Sequence, residues 1–197
     1  MSLKSFKWDI QRIKSWFSKN TPTSLKIIEH QNGYGLPLIE NALDFVIPEE
    51  LKELYTVIGG QPVNHFDNSV AKGFYLRDFR LLMPDEIALK YTHMCRIFFV
   101  IAPDKNLSYT DNGVQSVWWS KYWIPFAADG CGDFICIDTR PIDVGQAGRI
   151  IEFCHDDFRR EIIASSLHRF FTDYADGLES GKYIYDHEYG VVVRRYR

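Results

Sequence analysis

Residues 123–138 read WIPFAADGCGDFICID. Two apolar runs rich in Trp, Ile and Phe flank a short segment of Asp and Gly, the composition of two β-strands joined by a tight turn. Residues 118–127 are aromatic-heavy, and residues 133–138 (DFICID) form the second run. Residues 149–154 (RIIEFC) add a third short strand, so the centre of the chain predicts an antiparallel meander. Residues 96–102 (RIFFVIA) are apolar and β-rich and read as strand, although periodicity alone leaves continuation of a helix open. Residues 73–82 (GFYLRDFRLL) also read as strand.

Helices surround this centre. Ile10, Ile13, Trp16 and Phe17 recur at helical spacing over residues 8–18, with Asp9, Gln11, Arg12 and Lys14 between them. Residues 40–60 form the clearest helical region: Pro48, Glu49 and Glu50 suit a first turn, Leu51, Leu54, Tyr55 and Ile58 share a face, and Gly59-Gly60 stops it. Pro84-Asp85-Glu86 opens another helix, with Ile87, Tyr91 and Met94 spaced for burial. Residues 162–178 carry Leu167, Phe170, Phe171, Tyr174 and Leu178 at helical spacing. Residues 182–185 and 190–194 can pair as a terminal hairpin. Helices flanking adjacent strands give an α+β class, not the alternating pattern of a doubly wound sheet. Breakers and turn residues between positions 20 and 36 divide the chain into an N-terminal helical arm (1–35), a core domain (36–181) and a C-terminal hairpin or tail (182–197).

The composition is that of a globular protein: 46% hydrophobic, 15% aromatic and 25% charged over 197 residues. The formal net charge of −3 lacks the basic excess that phosphate contacts demand, so direct nucleic-acid binding is not expected. Cys95, Cys131, Cys136 and Cys154 show no paired short spacing, which predicts free thiols and no zinc site. The opening residues, MSLKSFKWDIQRIKSWF, are amphipathic and charged without the apolar run of a leader, and no apolar run spans a membrane. These features together predict a cytoplasmic protein without membrane association.

Catalytic and cofactor constellations fare poorly. Asp129, Asp133 and Asp138 do not follow the alternate-ligand spacing of a calcium loop, and glycines beside aspartates suit an ordinary turn. No phosphate-binding glycine motif, no GxSxG elbow and no HExxH spacing occurs; Gly145-Gln-Ala-Gly148 precedes a strand and not a helix. His155-Asp156-Asp157 follows the third strand directly and reads as a polar strand end. Neither a cofactor nor a metal is expected. Trp118, Trp119, Tyr122, Trp123 and Phe126 crowd into nine positions, and in an alternating strand they cannot all face one core. Exposed Trp and Tyr suit protein contacts, because they bury area at low entropic cost; a two-layered core beneath the helices accounts for the cluster equally well.

Two blocks carry a family resemblance. Ile47-Pro48-x-x-Leu51-x-x-Leu54-Tyr55-x-x-Ile58-Gly59-Gly60 is similar to the proline-led helix ending in a glycine pair of the SUKH superfamily. Trp123-Ile-Pro125-Phe-Ala-x-Asp129-Gly130-x-Gly132-Asp133-Phe-x-x-Ile-Asp138 resembles that family's strand-turn-strand block. Gly148-Arg-Ile-Ile, His155-Asp156, Ser166-Leu167 and Phe170-Phe171 follow in the family's order. The resemblance covers about residues 36–181, and it implies a central, mostly antiparallel sheet flanked by helices. In it Pro48, Gly59, Gly60, Trp123, Pro125, Gly130, Gly132, Asp133 and Asp138 have structural roles.

The resemblance further implies a non-enzymatic, protein-binding role. Many bacterial members are immunity proteins that neutralise a cognate toxin, often a nuclease; yeast members regulate cell-wall assembly. Trp118, Trp119 and Tyr122 are the expected aromatic anchors, with Asp111 and Asp129 meeting a basic partner. A regulatory scaffold binding endogenous proteins is the alternative, and a hydrolase using Asp133, His155 and Asp156 is the third reading.

Overall fold

The computed structural model describes residues 3–21, 35–61, 76–101, 113–142, 146–157, 159–188 and 191–194. Helix α1 (Leu3–Asn20) leads to α2 (Leu36–Ala42) and α3 (Glu49–Val57). Strand β1 (Arg80–Leu81) and helix α4 (Pro84–Ile101) precede the strands β2 (Trp123–Ala128), β3 (Phe134–Asp138), β4 (Arg149–Phe153) and β5 (Arg160–Ala164). Helix α5 (Leu167–Glu179) and a hairpin of β6 (Tyr183–Asp186) and β7 (Val191–Arg194) complete the order.

The five strands form one antiparallel sheet in sequence order, and β6 with β7 forms a separate two-stranded ribbon. Every residue of β2 and β3 is buried. Such strands need cover on both faces, which explains why they read as continuous apolar runs instead of alternating ones. One face carries Phe134, Cys136 and Asp138 in register with Phe153, Ile151 and Arg149 of β4, and Trp119 seals it edge-on against Trp123, Phe134 and Phe153. The other face meets α5, where Phe126 packs edge-on against Phe170 at 5.7 Å. The α+β class with a central antiparallel sheet flanked by helices is what the structure shows.

Several elements differ from the sequence expectation. Residues 96–101 continue α4, whose inner side is packed by α2, so the apolar run serves a helix. Of the described residues 76–82, Arg80 and Leu81 are strand, after a tight turn that pairs Leu76 with Phe79. Residues 160–164 are a fourth meander strand, and the last long helix starts only at Leu167, behind an N-cap in which Ser166 accepts a hydrogen bond from the Arg169 amide. The apolar spacing at Ile162 and Ile163 suits either state, and pairing with β4 decides it.

Helix α3 stops at Val57 with Ile58 extended, ahead of the glycine pair, whose second member serves close packing. A Cβ at Gly60 would collide with the Leu82 carbonyl and the Met83 amide, so only glycine lets the chain lie against β1. Next to it, Gln61 exchanges hydrogen bonds with Leu81, its amide donating to the Leu81 carbonyl at 2.8 Å and its side-chain oxygen accepting from the Leu81 amide at 3.2 Å. Pro48 sits at the N-cap of α3, one position before the helix proper. Helix α1 packs along α5, with Arg12 bridging to Asp176 at 2.6 Å and Glu179 at 2.5 Å, while buried Asp9 accepts from Thr172 at 2.7 Å. The terminal ribbon also rests on α5, where Tyr183 stacks obliquely on Tyr174 at 5.5 Å.

Candidate interaction surface

The β2–β3 connection is organised by one carboxylate. Asp129 Oδ1 accepts hydrogen bonds from the backbone amides of Cys131, Gly132 and Asp133 at 2.8, 3.1 and 2.9 Å. That arrangement is an Asp-nucleated turn, and it bends the chain through Gly130 and Gly132 at φ +93° and +125°. Asp129 is therefore half-exposed and committed on one oxygen to its own turn.

The loop from β4 to β5 lies beside this turn and is joined to it through His155. The His155 amide donates to Asp133 Oδ1 at 2.9 Å, and its ring Nδ1 meets the same oxygen at 2.7 Å. On the opposite edge of the ring, Nε2 lies 3.1 Å from Asp156 Oδ1. The ring covers Gly132, where a Cβ would sit 3.0 Å from imidazole atoms. The hydrogen bond to Asp133 raises the His155 pKa above its ordinary value. Partial burial works against ionisation of Asp133, but the bonds from His155 outweigh it and hold the carboxyl below its usual range.

Arg160 braces the loop from beneath. Its side chain is wholly buried, with the guanidinium 4.3 Å from the centre of the Phe153 ring. It donates to the carbonyls of Cys154, Asp157 and Arg159 at 3.1, 2.6 and 2.7 Å, and to the Trp118 carbonyl at 2.8 Å. Burial pushes its pKa down to about 10, which leaves it charged at neutral pH. Nothing in the sequence marks Arg160 out from the exposed Arg159 before it. Trp118 completes this end of the sheet: half-buried, it packs edge-on against Phe153 at 5.3 Å and its indole donates to the His155 carbonyl at 3.4 Å.

The expected contact residues do not share one surface. Trp118 and Asp129 lie at the turn end with His155, whereas Tyr122 precedes β2 at its far end, about 23 Å from Asp129 at ~3.3 Å per strand residue. There Tyr122 accepts a hydrogen bond from Arg140 at 2.5 Å and faces Phe45 at 5.9 Å. Trp119 is fully buried and is a core residue, not an exposed anchor, because the chain at 118–122 is not an alternating strand and turns that indole inward. Asp111 lies outside the described residues, as do the chain at positions 22–34, Gly145 and residues 195–197.

Asp138 is also inside, 3.4 Å from the buried Arg149 Nε, and it accepts from the Arg140 amide at 3.2 Å. Arg149 also donates to Gln146 and to the carbonyl of Gly113, tying the segment before β2 to the β3–β4 connection. Burial raises the Asp138 pKa against the pull of Arg149.

Asp133, His155 and Asp156 do come together, but their chemistry is that of a clamp. Both ring nitrogens of His155 face carboxylate oxygens of the chain itself, at 2.7 and 3.1 Å, and the bond to Asp133 favours the protonated ring. Burial raises the thiol pKa values of Cys95, Cys136 and Cys154, which disfavours thiolate nucleophiles at these positions. A groove of about 520 Å³ lies elsewhere, beside α5 and β6, and is lined in part by Arg77, Tyr174, Lys182 and Tyr183. Among the described residues no group of three or more His, Cys, Asp or Glu side chains is arranged to hold a metal ion, and no helix is long and apolar enough to cross a membrane.

Comparison with known proteins extends the geometry. The family model described as SMI1 / KNR4 family (SUKH-1) matches residues 20–173. The cell wall biosynthesis/cell cycle regulator smi1 of Schizosaccharomyces pombe is 26% identical over 158 residues, covering 76% of this chain and 31% of that protein. KNR4/SMI1 homolog 2 of Debaryomyces hansenii is 37% identical over 75 residues, 38% of this chain and 13% of the relative. The cell wall assembly regulator SMI1 of Saccharomyces cerevisiae is 33% identical over 81 residues, 41% and 16% of the respective chains. The chain thus spans less than a third of the length of these curated relatives. With the family model matching well over half its length, the chain belongs to the SMI1/KNR4 (SUKH-1) family.

Proposed function

We propose that this chain is a non-enzymatic protein-binding domain, acting in the cytoplasm, whose contact surface is the turn end of the sheet around Trp118, Asp129 and Asp156. The observation that carries this reading is the bracing of that end: Arg160 and the Asp133–His155 clamp hold three separate backbone segments while Trp118 and Asp156 stay accessible. A surface fixed before binding loses little entropy on association. Its carboxylates favour a basic partner, mainly through faster and more selective encounter.

On this reading the partner is a cognate toxin domain, such as a nuclease, which the chain neutralises as an immunity protein by covering its active site or substrate path. A second reading is favoured by the names of the fungal relatives: a regulatory scaffold that binds endogenous proteins. The test is affinity capture from the native host, followed by binding measurements on each purified partner. A single toxin whose activity falls when the chain is added supports immunity, and several endogenous partners without a toxin support the scaffold. In either case Trp118→Ala and Asp156→Lys weaken the interaction at least tenfold, while Tyr122→Ala at the far end leaves it unchanged. Retained affinity in the first two variants, with their unfolding curves intact, would remove the turn end as the contact surface.

A further inference from the structure

We propose that His155 is a proton-operated stitch between the β2–β3 turn and the β4–β5 loop: as imidazolium it joins Asp133 to Asp156, and on losing its proton it releases one of them. Each ring nitrogen faces a carboxylate oxygen, Nδ1 at 2.7 Å and Nε2 at 3.1 Å. A neutral imidazole has one N–H and one lone pair, so it can donate to only one of these acceptors; the other contact then sets a lone pair against an anion. Only the cation satisfies both. The ring also lies directly over Gly132, so any rotation that relieves this repulsion moves the side chain covering the turn.

The charged surroundings point the same way. Asp133 and Asp129 approach from the β2–β3 turn, and Asp156, Asp157 and the Cys154 thiol belong to the loop of His155 itself. Two cations serve this loop: Arg159, paired with Asp157 at 2.8 Å, and Arg160, spread over backbone carbonyls. From the segment before β2, Trp118 offers an indole N–H to the His155 carbonyl and no charge. The signs follow from linkage. His155 has a raised pKa, so its contribution is complete below the ordinary value of 6.5 and is lost as pH climbs through the raised one. Asp133 has a lowered pKa, so its half is present above 3.8 and fails only as pH falls through the lowered value. The stitch is closed between those limits and opens on the alkaline side.

This device lies at the end of the sheet assigned above to partner contact, and its effect on binding rests on that assignment, whereas the stitch itself is read without any partner. The experiment is an NMR titration of the full chain, following the His155 imidazole and the amides of Gly132, Asp133 and His155, in the wild type, Asp133→Asn and Asp156→Asn. The expected result is a His155 midpoint that falls in both variants, wild-type amide shifts that share that midpoint, and amide exchange that quickens above it. Asp156 is largely exposed, so Asp156→Asn folds and keeps the test decisive even if Asp133→Asn does not. An imidazole that titrates alike in wild type and Asp156→Asn overturns the stitch, and so do turn amides blind to its protonation. Either failure leaves the contact surface to be judged by its own binding measurements.

Discussion

Arg160 carries its charge into the interior with no carboxylate at salt-bridge distance among the described residues, and four backbone carbonyls share the guanidinium instead. Replacing it with methionine keeps the apolar stem but strips hydrogen bonds from several carbonyls at once. Arg160→Met is expected to lower stability by about 3 kcal/mol and to speed amide exchange across residues 154–159, as urea unfolding and hydrogen exchange would measure. Asp138 presents the opposite case, a buried acid facing a buried arginine. Asp138→Ala strands the Arg149 charge and is expected to cost roughly 3–5 kcal/mol in the same assay. Asp138→Asn keeps the acceptor for the Arg140 amide and should cost less, since burial already disfavours the ionised form. Equal losses in the two variants would mean that shape, not charge, is what Arg149 requires.

At the start of α5 side chains supply partners for the first amides, whereas α2 and α3 start without a side-chain cap. Helix α5 starts with two such groups: Ser166 accepts from the Arg169 amide at 3.1 Å, and Glu50, reaching over from α3, accepts from the amides of Leu167 and His168 at 2.9 and 3.2 Å. Ser166→Ala should cost about 1 kcal/mol, the usual value of an N-cap. Glu50→Ala should cost at least as much, because it removes the one oxygen that accepts from both amides together with the negative charge at the helix start, and it frees α3 from α5. A thermal scan of the two variants and their combination would show whether the caps act independently. Ser166 was also the signal that separates β5 from α5, and periodicity alone overrode it by running Ile162 and Ile163 into the helix. Strands β2, β3 and β4 were legible because Asp and Gly punctuate them locally. Helix α4 hid its last turns because Ile97 and Phe98 are β-favouring types held in a helix by packing from other elements. The proposed contact surface is half legible: Trp118 and Trp119 are chemically identical neighbours, and only the fold decides that one indole reaches the surface and the other fills the core.

At the scale of the whole molecule, the family and the folding unit have different boundaries. The family match begins at residue 20 and ends at 173, which leaves out α1, the last turns of α5 and the terminal ribbon. Yet Phe6, Ile10, Ile13 and Phe17 of α1 are all buried, Phe6 packs edge-on against Phe171 at 5.7 Å, and Asp9 and Arg12 bond to α5. We therefore infer that the helical arm is an integral layer of the core, not a separable extension. Four large apolar side chains at about 1.5–3 kcal/mol each approach the entire stability of a typical domain, about 5–15 kcal/mol. A chain lacking residues 1–20 is thus expected to lose cooperative unfolding and to bind hydrophobic dyes, even though every family motif remains. Arg12→Ala, which removes the partly exposed bridges to Asp176 and Glu179 together with the 2.8 Å pair to buried Asp9, should cost about 1–3 kcal/mol and keep the transition sharp. Calorimetry of the truncated chain and of Arg12→Ala separates the two contributions. A truncated chain that still melts cooperatively near the wild-type temperature would show that the family segment holds a complete core by itself and that α1 is an addition laid on its surface.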